Sequence, residues 1–125
     1  MLIARAPMRI SFGGGGTDLV AYYAVYGGFV VSTTINKYFY VMVSPSESDH
    51  TQVISANYQS IQYLSDAKAS SINGNLALPG SILDFFHLQK GLNIFLALEV
   101  PPGTGLGSSG SVAVAMIKAL SNISG

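Results

Sequence analysis

Residues 94–120 constrain this chain more than any other stretch. The apolar run Ile94-Phe95-Leu96-Ala97-Leu98-Glu99-Val100 reads as a buried strand that stops at Pro101-Pro102. Gly103-Thr104-Gly105-Leu106-Gly107-Ser108-Ser109-Gly110-Ser111 follows, and Val112 to Leu120 reads as a helix. A strand, a glycine-rich loop and a helix start make a phosphate cradle. Glycines without Cβ atoms let backbone N–H groups approach an anion closely. The first helical turn adds N–H groups that lack an internal partner and the positive end of the helix dipole. The bland alternative is a turn with a well-capped helix, since Ser108, Ser109 and Ser111 are all good N-cap residues.

Three phosphate-loop patterns compete. The P-loop, G-x-x-x-x-G-K-[ST], fails because Ser111 stands where lysine must follow Gly110. The dinucleotide fingerprint G-x-G-x-x-G is matched literally by Gly105, Gly107 and Gly110, but no Asp or Glu follows Glu99 to bind a ribose. The third pattern fits. Pro101 to Ser109 resembles the P-x-x-x-G-L-G-S-S motif of the GHMP kinases at every fixed position. Gly110 stands where that family usually has Ala, at a cost in helix propensity.

A second match lies near the start. Ala6-Pro7-Met8-Arg9-Ile10-Ser11-Phe12-Gly13-Gly14-Gly15-Gly16-Thr17-Asp18 resembles the family's first motif, A-P-G-R-V-N-L-I-G-E-H-T-D in galactokinases. The resemblance implies that Asp18 binds a sugar hydroxyl and that Arg9 sits near the attacked hydroxyl and the transferred phosphate. The bland alternatives are a first-turn acid for Asp18 and an edge-strand surface residue for Arg9. Gly15-Gly16 replaces the galactokinase Glu-His, leaving an open, backbone-lined site around Gly15, Gly16 and Thr17 for a larger or more anionic substrate. Arg5 to Asp18 is similar to the branch of the family with heptose 7-phosphate kinases and fucokinase-type sugar kinases.

The resemblance implies an ATP-dependent kinase that phosphorylates a sugar hydroxyl, the anomeric one of a heptose 7-phosphate. Gly103, Gly105, Leu106, Gly107, Ser108, Ser109 and Gly110 would then hold the ATP phosphates. Ser109, ahead of Ser108, would ligate Mg²⁺. Glu99 would assist there or be only a strand-end charge. GHMP kinases are more than twice this length and carry a second domain with a third glycine-rich motif. On this reading residues 1–125 are an N-terminal GHMP domain lacking its C-terminal partner, inactive alone and prone to self-association. The rival is a non-catalytic S5-like binding or ribosome-associated module.

Composition narrows the classes. Apolar residues make up 49% of the chain and charged ones 10%, so a packed core is expected and disorder is not. A formal net charge of zero argues against nucleic acid as partner. Without cysteine there is no disulfide framework or thiolate metal site, and His50 and His87 are isolated. No signal peptide or membrane-spanning run is present, so a cytoplasmic protein is expected.

Leu2–Ala6 and Arg9–Phe12 predict a first strand broken at Pro7, and Thr17 predicts the cap of a helix through Tyr22, Tyr23 and Tyr26, ended by Gly27-Gly28. The three tyrosines read as core and rim. Phe29–Ile35 and Tyr38–Val43 predict paired strands around a turn at Asn36-Lys37. Thr51–Ser55 and Ser60–Leu64 read as weaker strands, Ala69–Asn75 as loop, and Ser81–Leu88 as a helix ended by Gly91. Clustered strands with two or three helices predict an α+β layer with a mixed sheet rather than a doubly wound one. The resemblance implies the ribosomal-protein-S5-domain-2-like fold.

Overall fold

Apolar residues that alternate with polar ones along five segments build a single mixed sheet. The computed structural model describes residues 1–64, 74–88 and 91–124. The strands are β1 (Leu2–Gly13), β2 (Val31–Pro45), β3 (Thr51–Ser55), β4 (Ser60–Leu64) and β5 (Leu92–Leu98), in spatial order β1-β2-β5-β3-β4. All pairs are antiparallel except β3 with β5, which run parallel. The helices are α1 (Val20–Tyr26), α2 (Ala77–Phe86, after a 3-10 turn at Gly74–Leu76) and α3 (Ser108–Ser124).

One sheet face forms the core. Ala4, Ala6 and Met8 of β1 lie beside Phe39, Val41 and Val43 of β2, then Leu92, Ile94, Leu96 and Leu98 of β5 and Val53 of β3, all buried. The period of two along each strand puts these residues on the same side. Helix α3 covers them with Val112, Ala115, Met116, Ala119 and Leu120, and α2 adds Ile82 and Leu83. Alanines at 115 and 119 bring the helix close to the sheet. The opposite face stays open or half-covered, with Ile3 and Ile61 exposed.

The mixed α+β architecture with three helices is the class expected from the sequence. Several elements differ from expectation. Strand β1 is continuous through Pro7, because an edge strand can spare an N–H. The expected hairpin at Asn36-Lys37 is absent and β2 runs straight through it. Pro7 pairs with Tyr38 and Arg9 with Thr34, so Ile35, Asn36 and Lys37 face Met8 alone. The polar pair is the surplus of a β-bulge, not a turn.

Thr17 does not cap α1. Leu19 holds that position with no side-chain bond. Nor are the α1 tyrosines core, since the helix has no buried residue. Gly27 does end α1, with φ 72° and its N–H donating to Tyr23 O. Helix α2 starts four residues before the expected Ser81. Pro79 falls in its first turn, where the missing N–H had no partner anyway. It ends at His87, in the left-handed region, rather than at Gly91. A Cβ on Gly91 would lie 2.0 Å from Ser48 O, so close backbone approach explains that glycine. Of the loop expected over 69–75, residues 69–73 lie outside the described residues.

Candidate active site

The glycine-rich loop owes its path to three left-handed residues, Gly103 (φ 82°), Gly105 (φ 72°) and Gly107 (φ 74°). They alternate with Thr104 and Leu106, a pattern from which backbone N–H groups can build an anion-binding nest. The first bond of α3 runs from Ser111 N–H to Gly107 O at 3.1 Å. The N–H groups of Ser108, Ser109 and Gly110 precede it and have no intrahelical acceptor. Ser108 is half-buried, while Ser109 and Gly110 are exposed at the helix start.

Strand β1 carries Arg9 to this loop. Arg9 N–H donates to Leu106 O at 3.1 Å. Its side chain lies over Gly107, where a Cβ would come within 3.0 Å of Arg9 Cγ and 3.4 Å of Cζ. The buried Ser111 hydroxyl donates to Pro7 O at 2.9 Å, joining α3 to β1 where the bulge interrupts the ladder. Arg9, Gly107, Gly110, Ser111 and Val114 line one open cleft. A second cleft, lined by Phe39, Leu76, Pro79, Leu96 and Leu98, lies beside Ser108 and Ser109.

The first motif folds on itself. Gly14 (φ 82°) and Gly16 (φ 96°) make the turns. The Thr17 hydroxyl donates to Gly14 O at 2.7 Å and accepts from Phe29 N–H at 3.1 Å, fastening the segment to the residues before β2. Asp18 Oδ1 accepts from Gly16 N–H at 3.0 Å. Asp18 and Thr17 line a third cleft with Tyr23, Gly28, Phe29 and Val30. Gly15 and Gly16 are exposed at its side, with nothing within 4 Å of a Cβ placed on either.

Thus Arg9 and Gly103 to Gly110 come together, while Asp18 and Thr17 line a cleft of their own past the end of β1. Glu99 has structural work: its carboxylate accepts from Tyr38 N–H at 2.6 Å, so it ties β5 to β2. Asn57 escaped the sequence reading. Its carboxamide makes two bonds to Leu98, and no motif marks it. Among the described residues no His, Cys, Asp or Glu cluster could hold a metal ion, and no helix is long and apolar enough to cross a membrane.

Residues 75–125 match the family model described as GHMP kinases N terminal domain. The chain is 28% identical over 120 residues to D-glycero-alpha-D-manno-heptose 7-phosphate kinase of Campylobacter jejuni, covering 92% of this chain and 35% of the relative. It is 33% identical over 101 residues to mevalonate kinase of Methanothermobacter thermautotrophicus, covering 81% of this chain and 31% of the relative. It also superposes on the crystal structure of a D-glycero-D-manno-heptose 1-phosphate kinase from Bacteriodes thetaiotaomicron with a TM-score of 0.81 and 27% identity, covering 94% of this chain and 40% of that one. The chain therefore spans about a third of the length of these curated relatives.

Proposed function

We propose that this chain, whose residues 75–125 match the GHMP kinase N-terminal domain, forms the N-terminal part of a sugar-phosphate kinase. The reaction moves the γ-phosphoryl group of ATP to a sugar hydroxyl, the anomeric one of a heptose 7-phosphate. The observation that carries this reading is the seating of Arg9 on Gly107, which joins the two motifs at one end of the sheet. A guanidinium beside free helix N–H groups is an arrangement for charge that develops on a transferring phosphoryl group.

Within that reading the N–H groups of Gly103, Gly105, Leu106, Gly107, Ser108, Ser109 and Gly110 hold the phosphates. The three left-handed glycines fit this role, since a side chain at Gly107 would displace Arg9. The cleft beside Ser108 and Ser109 adds apolar surface from Leu76, Pro79 and Leu96 next to the cradle, which is in keeping with a nucleotide as the phosphate donor. Bound Mg²⁺ would neutralise phosphate charge, with the exposed Ser109 hydroxyl as the protein ligand. Arg9 steadies the transferred group and Asp18 orients the sugar, with Gly15, Gly16 and Thr17 lining its site. The base that takes the hydroxyl proton is assigned to the C-terminal domain of the longer kinase.

The test is a phosphate-transfer screen of the longer protein against sugars, sugar phosphates and mevalonate, with ATP and Mg²⁺. Transfer to a heptose 7-phosphate well above the others supports the reading. Preferred transfer to mevalonate overturns the substrate assignment, and no transfer to any acceptor overturns the kinase reading.

A further inference from the structure

The end of β5 is held by side chains where backbone pairing runs out. On one flank β3 stops at Ser55, Ala56 N–H donates to Leu96 O at 3.1 Å, and the chain turns away toward β4. At the next rung the Asn57 carboxamide replaces a strand. Its Nδ2 donates to Leu98 O at 3.0 Å, and its Oδ1 accepts from Leu98 N–H at 2.7 Å. That donor and acceptor are what a neighbouring backbone would supply. On the other flank Glu99 N–H donates to Tyr38 O at 3.2 Å and the Glu99 carboxylate accepts from Tyr38 N–H. Then come Val100 and Pro101-Pro102, and prolines have no N–H to give. Leu98 is the last residue fastened on the one flank and Glu99 the last on the other before the glycine loop departs.

We infer that Asn57 is a positioning residue for phosphate binding, acting through Leu98 on the path of residues 103–110. This rests on the reading of those residues as a phosphate cradle. The turn that carries Asn57 also places Ser55 and Tyr58 in the wall of the apolar cleft that ends at Ser108 and Ser109. One carboxamide therefore sets both the launch point of the loop and the distance from the cleft wall to the cradle. Its removal leaves a part-buried N–H and C=O of Leu98 without partners, a loss that a shift of the strand end relieves.

The experiment compares binding of ATP with Mg²⁺ and of adenosine, by calorimetry, to the full chain and to Asn57→Ala. Adenosine has no phosphate, so the ratio of the two dissociation constants reads the cradle alone. A merely structural role lowers the folded fraction and leaves that ratio unchanged. The expected result is a preference for ATP in the unmodified chain that falls about tenfold in Asn57→Ala. An unchanged ratio overturns the inference. If Asn57→Ala does not fold, Asn57→Asp keeps the acceptor for Leu98 N–H and is expected to lose about threefold, again with an unchanged ratio as the refuting result. If the unmodified chain shows no preference for ATP, the cradle reading fails instead. Hydrogen exchange at the Arg9 and Ser111 amides, which donate to Leu106 O and Gly107 O, then decides the positioning role: exchange that speeds up about tenfold more in the variant than at amides in the middle of α3 upholds it, and an equal change at both rejects it.

Discussion

Alanine at Gly14 and at Gly15 should have very different effects, although the two are neighbours in a run of four glycines. A Cβ on Gly14 would sit 1.8 Å from Phe29 O and 2.9 Å from Phe29 C. Ordinary contact needs about 3.5 Å, so one backbone segment must retreat by about 1.5 Å. The segment concerned is fastened by Thr17 N–H to Gly14 O at 3.0 Å, the Thr17 hydroxyl to Gly14 O at 2.7 Å, and Phe29 N–H to the Thr17 hydroxyl at 3.1 Å. A shift of that size breaks at least two of these bonds, at about 1 kcal/mol each. The left-handed backbone at Gly14, φ 82°, adds about 1 kcal/mol for a residue with a Cβ. The expected cost of Gly14→Ala is about 3 kcal/mol, or about 10 °C in Tm for a domain of this size. Gly15 has negative φ and open space around it, so Gly15→Ala should stay within about 0.5 kcal/mol. Equilibrium urea unfolding of the two variants measures the difference. Equal stabilities would show that Gly14 does not lie under the Phe29 carbonyl and that the first motif is not closed as described.

Other outcomes follow from the same geometry. Ser111→Ala removes a buried hydroxyl that donates to Pro7 O, where the ladder has a bulge, and should cost about 1–2 kcal/mol in urea unfolding. Ser109→Ala in the longer kinase should lower kcat more than it raises KM for ATP if the hydroxyl has its proposed role where charge develops; steady-state kinetics with an unchanged kcat would refute that role. Residues 1–125 alone should not transfer phosphate, since held orientation is worth roughly 7–11 kcal/mol and the chain has about a third of its relatives' length. The same chain should self-associate through the apolar arm around α1, where Phe29 is 78% and Tyr26 75% exposed; a concentration-independent monomer in sedimentation velocity would contradict this.

What could be read from the sequence was local and periodic. The strand–loop–helix read at 94–120 was legible because an apolar run, paired prolines and clustered glycines each have one usual meaning, and Thr51–Ser55 and Ser60–Leu64 read as weaker strands. What could not be read depended on partners far along the chain. Asn36-Lys37 looks like a turn until Met8 is seen opposite it, and only the register reveals a bulge. Thr17 looks like a cap until Phe29 arrives to take its hydroxyl. The α1 tyrosines have the spacing of a core face, but among the described residues no surface buries them. Within the candidate site, both motifs announced themselves by pattern, and the contact of Arg9 with Gly107 is where they meet. Asn57 carried no pattern, because a lone asparagine in a polar turn has many uses.

The hydroxyl of Ser111 reaches back across 104 positions to Pro7. At about 5–20 residues per second, synthesis of that interval takes between about five and twenty seconds. Once Pro45 is made β1 and β2 can pair, but α3, which covers their apolar face, has yet to be made. Among these elements the seam that closes last is therefore α3 on β1, and its docking brings Arg9 onto the glycine loop. A site placed at the closing seam is completed last in a nascent chain, and any opening that frees α3 from β1 dismantles it.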